Sequence, residues 1–284
     1  MTSTTTLLAL AGTAWLALSL AACAPSAEPP AGPPDDADPL ISGIGLTHLT
    51  VYDQRPAPDG KHSGTAHVHA VTDEGYYVMS GAGQVELHDL EHGFRTVELA
   101  PGTYLQFPPG VIHRLINTDH LVILVVMGNA GLAERGDARI YFGKAADENP
   151  AEFARLVGLP KERGLEGALE RRDASIRAYQ GLMDLWRTDR EAYRAELERF
   201  IGVHMEAAAG LKDKFHRAVE SGPGAWNELF RSRVEALPAL NSGEGPLVHV
   251  LPDATVFGMC GVLRPVAGLA PVDGPRGEGA KPAK

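Results

Sequence analysis

The chain has 284 residues, of which 44% are hydrophobic and 22% charged, so it is long enough for one substantial core and ordinary in composition for a globular protein. Its formal charge of −10 excludes the basic surface that nucleic acid requires, and no run of like charge suggests a polybasic membrane patch.

The first element is apolar. Residues 7–22 carry only Gly12, Thr13 and Ser19 as interruptions, which is short for a bilayer-spanning helix and right for the apolar part of a signal sequence. They end in Leu20-Ala21-Ala22-Cys23, which resembles a bacterial lipobox. That resemblance implies that 1–22 are a signal peptide, that Cys23 is lipidated, and that the protein is an extracytoplasmic lipoprotein held to a membrane. No Lys or Arg precedes Arg55, a departure from the usual positive n-region that leaves a misassigned start or an uncleaved anchor as alternatives. Residues 23–40, rich in Pro, Ala, Gly and Asp, have almost nothing to bury and read as a disordered tether. With Cys23 lipidated, Cys260 has no disulfide partner and reads as a small buried hydrophobe near Met259 and Val262.

From 41 to 143 the pattern is β. Tyr76-Tyr77-Val78-Met79, Gln84-Val85-Glu86-Leu87, Tyr104-Leu105-Gln106-Phe107 and Leu121 to Met127 read as strands. Between them stand turn signals at Ser80-Gly81-Ala82-Gly83, Ala100-Pro101-Gly102 and Pro108-Pro109-Gly110. Many short strands at this spacing predict a sandwich or barrel.

From 149 to 237 the pattern is helical. Asn149-Pro150-Ala151-Glu152 and Thr188-Asp189-Arg190-Glu191 each place an N-cap before an acidic third residue. Ile176, Tyr179, Met183 and Trp186 form one apolar stripe, and Tyr193, Leu197, Phe200, His204, Ala208, Leu211 and Phe215 another. Two long antiparallel helices flanked by shorter ones are expected, with His204 a hydrogen-bonded core histidine, His216 on the surface, and Trp226 and Phe230 in the core. The stripes are more than a lone hairpin covers, so they pack on the barrel or form a homodimer. Residues 246–268 return to β-like sequence and 269–284 read as a disordered tail.

The chemistry concentrates in two blocks. In the first, His67 and His69 stand at i and i+2 of a strand and aim at one face. Glu74, five residues past His69, has the wrong parity for a continuous strand, so Val71-Thr72-Asp73 must turn or bulge to bring it back. Gly81 closes this block. In the second, Gly102 and Pro108-Pro109-Gly110 build a rigid corner before His113 and Asn117. Three imidazoles and a carboxylate suit Fe, Mn, Ni, Co or Zn and are too nitrogen-rich for Ca or Mg.

Together the blocks resemble the two signature motifs of the cupin superfamily, except that Gly64 lies closer to His67 than the first motif's usual glycine. The resemblance covers about 100 residues. It implies a fold that is mainly β with a helical extension: a cupin antiparallel β-barrel (jelly roll) over 41–143, followed by the α-helical region. It also implies that His67, His69, Glu74 and His113 bind one divalent transition metal, with Fe, Mn, Ni and Zn the candidates. A dioxygenase acting on an enediol or catechol-like small molecule is the first functional reading, with Glu74 as general base. A metal-dependent sugar isomerase or epimerase, and a non-enzymatic binding lipoprotein, are the alternatives. Tyr76, Val78, Tyr104 and Gln106 are candidate pocket residues, while His48, His62, His88, His92, His120 and His249 are expected on loops or strand faces away from the metal.

Overall fold

The computed structural model describes residues 40–129, 131–158, 163–238, 247–248, 255–266 and 270–271. Cys23, the signal and tether segments, His249 and the tail after 271 lie outside the described residues. None of the described helices is long and apolar enough to cross a membrane.

The strands are β1 (Gly45–Val51), β2 (His62–Ser63), β3 (His67–His69), β4 (Glu74–Asp89), β5 (Gly93–Leu99), β6 (Tyr104–Phe107), β7 (Ile112–Met127) and β8 (Ala138–Ile140). After them come the helices α1 (Lys144–Asp147), α2 (Pro150–Val157), α3 (Gly164–Thr188), α4 (Arg190–Ala209), α5 (Lys212–Val219) and α6 (Ala225–Glu235). Four short strands follow: β9 (Leu247–Val248), β10 (Val256–Phe257), β11 (Gly261–Val266) and β12 (Ala270–Pro271). The mostly antiparallel, cupin-like sheet is built around β4 and β7, two 16-residue strands paired along nearly their whole length. β1 joins β7 on one edge and β11 on the other, so the sheet draws on residues far beyond 143.

Ser80-Gly81-Ala82-Gly83 does not separate two strands, as its composition suggests. It lies inside β4, where the pairing with β7 slips at three successive points and both strands bend. Gly81 has φ +76°, and a Cβ there would stand 2.3 Å from the carbonyl oxygens of Asp119 and His120, so only glycine permits this corner.

Alternation then sorts the side chains. Val85, Leu87 and Leu115 point into the barrel core, whereas Ala66, Val68 and Ile112 point outward. The outward set is covered by α3 and α4 through Tyr179, Leu182, Tyr193, Leu197 and Phe200, all essentially buried. Each such side chain contributes about 1.5–3 kcal/mol by leaving water. The same surface buries an ionic network. Arg114 bonds Asp59 at 2.8 and 3.1 Å and Ser63 at 2.7 Å, and it lies 3.3 Å from Glu86. Tyr179 Oη donates to Glu86 at 3.0 Å, and His88 lies between Tyr179 Oη at 2.7 Å and Tyr193 Oη at 2.8 Å. Two carboxylates here meet Arg114 and Lys61, so charge is matched where burial would otherwise be costly.

Three helical expectations change. Asp189, not Thr188, caps α4 by accepting from the Ala192 amide at 2.9 Å. The second stripe is not one helix: α4 stops at Ala209, Gly210 follows, and Leu211 and Phe215 belong to the next segment. Trp226 and Phe230 are not core residues, because α6 buries nothing. Their rings lie 5.7 Å apart at i and i+4, and Phe230 is 42% exposed.

Candidate metal centre

The site is assembled by three strands. His67 and His69 come from β3, and His67 pairs directly with His113 of β7. A bend at Ala70 and Val71 interrupts the chain, and Glu74 re-enters as the first residue of β4. The Gly110 amide donates to the His69 carbonyl at 2.9 Å, which ties the Pro108-Pro109-Gly110 corner to the first block. The result is four buried donors, from His67, His69, Glu74 and His113, whose ligand atoms all lie within 4.8 Å of one another. None of the four residues is more than 4% exposed.

The hydrogen-bond pattern shows which ring atoms face the centre. His67 Nδ1 faces the Thr65 carbonyl at 3.2 Å, and His113 Nδ1 faces the Val111 carbonyl at 3.1 Å. His69 Nδ1 faces Asp137 Oδ2 at 2.9 Å. With an acceptor at each Nδ1, that nitrogen carries a proton and each Nε2 is left facing the centre. The Nε2 atoms of His67 and His113 are 2.9 Å apart. Glu74 Oε2 is 3.1 Å from His69 Nε2 and 3.0 Å from His113 Nε2, yet it is buried without a hydrogen-bond partner. Three imidazole nitrogens and one carboxylate oxygen brought together in a buried space are a good ligand set: the residues fit a cation.

The ionisation of the cluster agrees. Burial, then the neighbouring His113, holds His67 well below the ordinary imidazole range. Burial opposes charge on His69 as well, but Asp137 and Glu74 outweigh it and lift that ring to about 9. Burial would raise Glu74, but His113 and His69 hold it well below the usual carboxylate range. The proton kept on His69 is the one a metal must displace, so metal uptake releases protons and strengthens as pH rises.

Asp137 has no motif to reveal it in the sequence. One of its oxygens accepts from the Ala70 and Val71 amides at 3.0 and 2.7 Å, and the other orients His69. His204 Nε2 lies 2.6 Å from the Asp137 carbonyl, so α4 clamps the residue that aims a ligand. In Asp137→Asn, either the amide group faces His69 Nδ1 and forces the other tautomer, or it faces two backbone donors. A loss of roughly 10- to 100-fold in metal affinity is expected from a chelator-competition titration, and affinity within twofold of wild type would contradict this role.

The pocket candidates divide. Tyr76 and Val78 point inward, and the Tyr76 and His113 rings meet edge-on at 6.3 Å. Tyr104 and Gln106 point outward, a correction set by register: Tyr104 pairs with exposed Tyr77 and Gln106 with Gly75. Tyr104 is 58% exposed and donates to Gln106 at 2.9 Å on that outer face. The inward residues of β6 are Leu105 and Phe107, and the Phe107 ring stands 4.6 Å from His113. His88 is on a strand face away from the centre, but buried against the helices.

Residues 57–127 match the family described as Cupin domain, which agrees with the cupin-like fold and the buried His/Glu cluster. No curated protein matches the chain. Among solved structures, it is similar to a cupin protein from Bacteroides fragilis, with 20% identity over 31% of this chain and 65% of that one and a TM-score of 0.22. It is also similar to WlaRA, a TDP-fucose-3,4-ketoisomerase from Campylobacter jejuni, with 10% identity over 29% and 57% and a TM-score of 0.25. CapF, a capsular polysaccharide assembling protein from Staphylococcus aureus, gives 17% identity over 34% and 25% and a TM-score of 0.26. The chain thus spans between a quarter and two thirds of these three proteins, whose activities remain their own.

Proposed function

We propose that His67, His69, Glu74 and His113 hold one divalent transition-metal ion, Fe, Mn, Ni or Zn, and that this centre acts on a small oxygen-bearing molecule as an oxygenase of enediols or catechols. The observation that carries the reading is the gathering of three imidazoles and one buried carboxylate whose ligand atoms lie within 4.8 Å of one another. When bound, a redox-capable ion supplies open coordination positions and electron transfer to O₂. The chain supplies the rest. Phe107 and Tyr76 wall the donors off from water, which favours a small ligand. Glu74 is the one carboxylate in the four-donor group and is the group to take a hydroxyl proton.

A second reading, proton-transfer isomerisation, is favoured by the Tyr76 hydroxyl beside Glu74, because a phenol and a carboxylate can pass a proton between neighbouring carbons. The test is metal analysis of protein prepared without a His tag, followed by O₂-uptake assays with enediols and catechols. Near-stoichiometric metal with O₂ uptake supports the oxygenase. Turnover without O₂ transfers the assignment to an isomerase, and metal without turnover to a binding protein. Failure to hold any of the four metals sinks the reading. We place this chemistry outside the cytoplasm on the strength of residues 7–23, and acyl labelling that persists in Cys23→Ser would overturn that address.

A further inference from the structure

Cys260 reads from sequence as a small buried hydrophobe, and it does lie in the barrel core. Its surroundings are nevertheless polar on one side. Cys260 Sγ stands 3.6 Å from His67 Nε2, the atom that faces the metal centre. The Tyr76 hydroxyl lies beside both Cys260 and Glu74, is fully buried, and has no well-formed hydrogen bond. One buried hydroxyl without a hydrogen-bond partner, Tyr76 Oη, therefore stands beside the thiol.

The fold holds Cys260 there from both sides. A Cβ on Gly64 would stand 2.7 Å from Cys260 Cα, so glycine is what lets this late segment reach the strand that leads to His67. Thr65 fastens the preceding residue, with its amide and hydroxyl donating to the Met259 carbonyl at 3.0 and 3.2 Å. The next residue, Gly261, pairs with Val51 at the start of β11.

Building on the metal-centre reading above, we propose that Cys260 is an alternative fourth ligand, its thiolate replacing one of the four donors next to His67 when a thiophilic ion fills the site. Ligand lengths support this. Metal–sulfur and metal–nitrogen bonds of about 2.3 and 2.0–2.1 Å at a tetrahedral angle put the two ligand atoms roughly 3.6 Å apart. Cys260 is outside the group of four donors that lie mutually within 4.8 Å, so sulfur enters by exchange with the donor farthest from it. On exchange the S–H proton leaves to solvent, the bond from the metal to the displaced donor would break and the metal–sulfur bond would form, with no change of oxidation state.

The experiment loads the full chain with Co²⁺ and reads two features separately. Visible ligand-field bands report occupancy of the His/Glu cluster, and a near-ultraviolet sulfur-to-cobalt charge-transfer band reports the thiolate. Wild type should show both, and Cys260→Ala should keep the visible bands and about one cobalt while losing the near-ultraviolet band. Visible bands with an unchanged near-ultraviolet spectrum in Cys260→Ala overturn ligation by Cys260 and leave the centre intact. No bound cobalt in wild type overturns the centre itself. Should Cys260→Ala not fold, cadmium NMR of wild type decides: a strongly downfield, sulfur-ligated resonance supports the proposal, and a shift typical of nitrogen and oxygen donors overturns it.

Discussion

His113→Ala should leave the protein nearly free of metal after dialysis, where wild type keeps about one equivalent. The imidazole is fully buried on β7, opposite His67, and its Nε2 lies 3.0 Å from Glu74. Apparent binding energies of four-ligand structural sites are of the order of 10–16 kcal/mol, so one ligand in four accounts for about 3 kcal/mol, or roughly 100-fold in affinity. Water can enter the gap but brings neither the imidazole's basicity nor the geometry fixed by its bond to the Val111 carbonyl. His67→Ala should behave alike. Metal content equal to wild type in both variants would show that these side chains are not ligands.

The second large effect is acid release of the helical layer through His88. The ring is buried between Tyr179 of α3 and Tyr193 of α4, with Glu86, Asp89 and Arg114 close on the sheet side. Burial foremost, aided by Arg114 and opposed by Asp89, depresses it from 6.5 to about 3. A base whose folded pKa is depressed binds its proton more readily when unfolded. The stability it confers is therefore complete above pH 6.5 and lost as pH falls toward 3. Across that window the loss is of the order of 5 kcal/mol. Amide exchange in 164–209 should accelerate as pH drops, after correction for intrinsic rates, before the inner barrel strands respond. His88→Asn keeps a donor and an acceptor without titrating in this range, so its exchange should be nearly flat with pH. Equal pH dependence in both proteins would rule His88 out as the cause.

The donor set was legible in the sequence because strand parity and the position of Glu74 after a forced turn are local facts. The corner at Gly81 was visible only as a glycine-rich stretch, since a turn between strands and a bulge within one strand use the same residues. Tyr104 and Gln106 were misplaced because alternation gives two faces without saying which is inward; that came from their pairing with Tyr77 and Gly75. Asp137 and Cys260 reach the site from 68 and 193 residues away along the chain, and no spacing rule connects them to His69 or His67. The alternation of β7 is hidden at Ile112–Asn117, where all six residues are buried, because helices cover one face and the barrel fills the other.

That doubly covered sheet puts the metal ligands and the helix contacts on alternate residues of one three-residue strand, with Val68 facing α3 and α4 and His67 and His69 facing inward. Under the proposed function, displacing the helices and emptying the centre are coupled equilibria. The path is short: α4 holds the Asp137 carbonyl through His204, and Asp137 holds His69. Linkage makes the coupling reciprocal, so whatever binds and stiffens the helical layer tightens metal binding by the same factor that metal tightens its own attachment. At 100 times its dissociation constant, the ion adds about 2.7 kcal/mol to the stability of every element that must be in place to bind it. Under the proposed function, a ligand that fixes α3 and α4 would thereby strengthen the hold of the four donors on an ion.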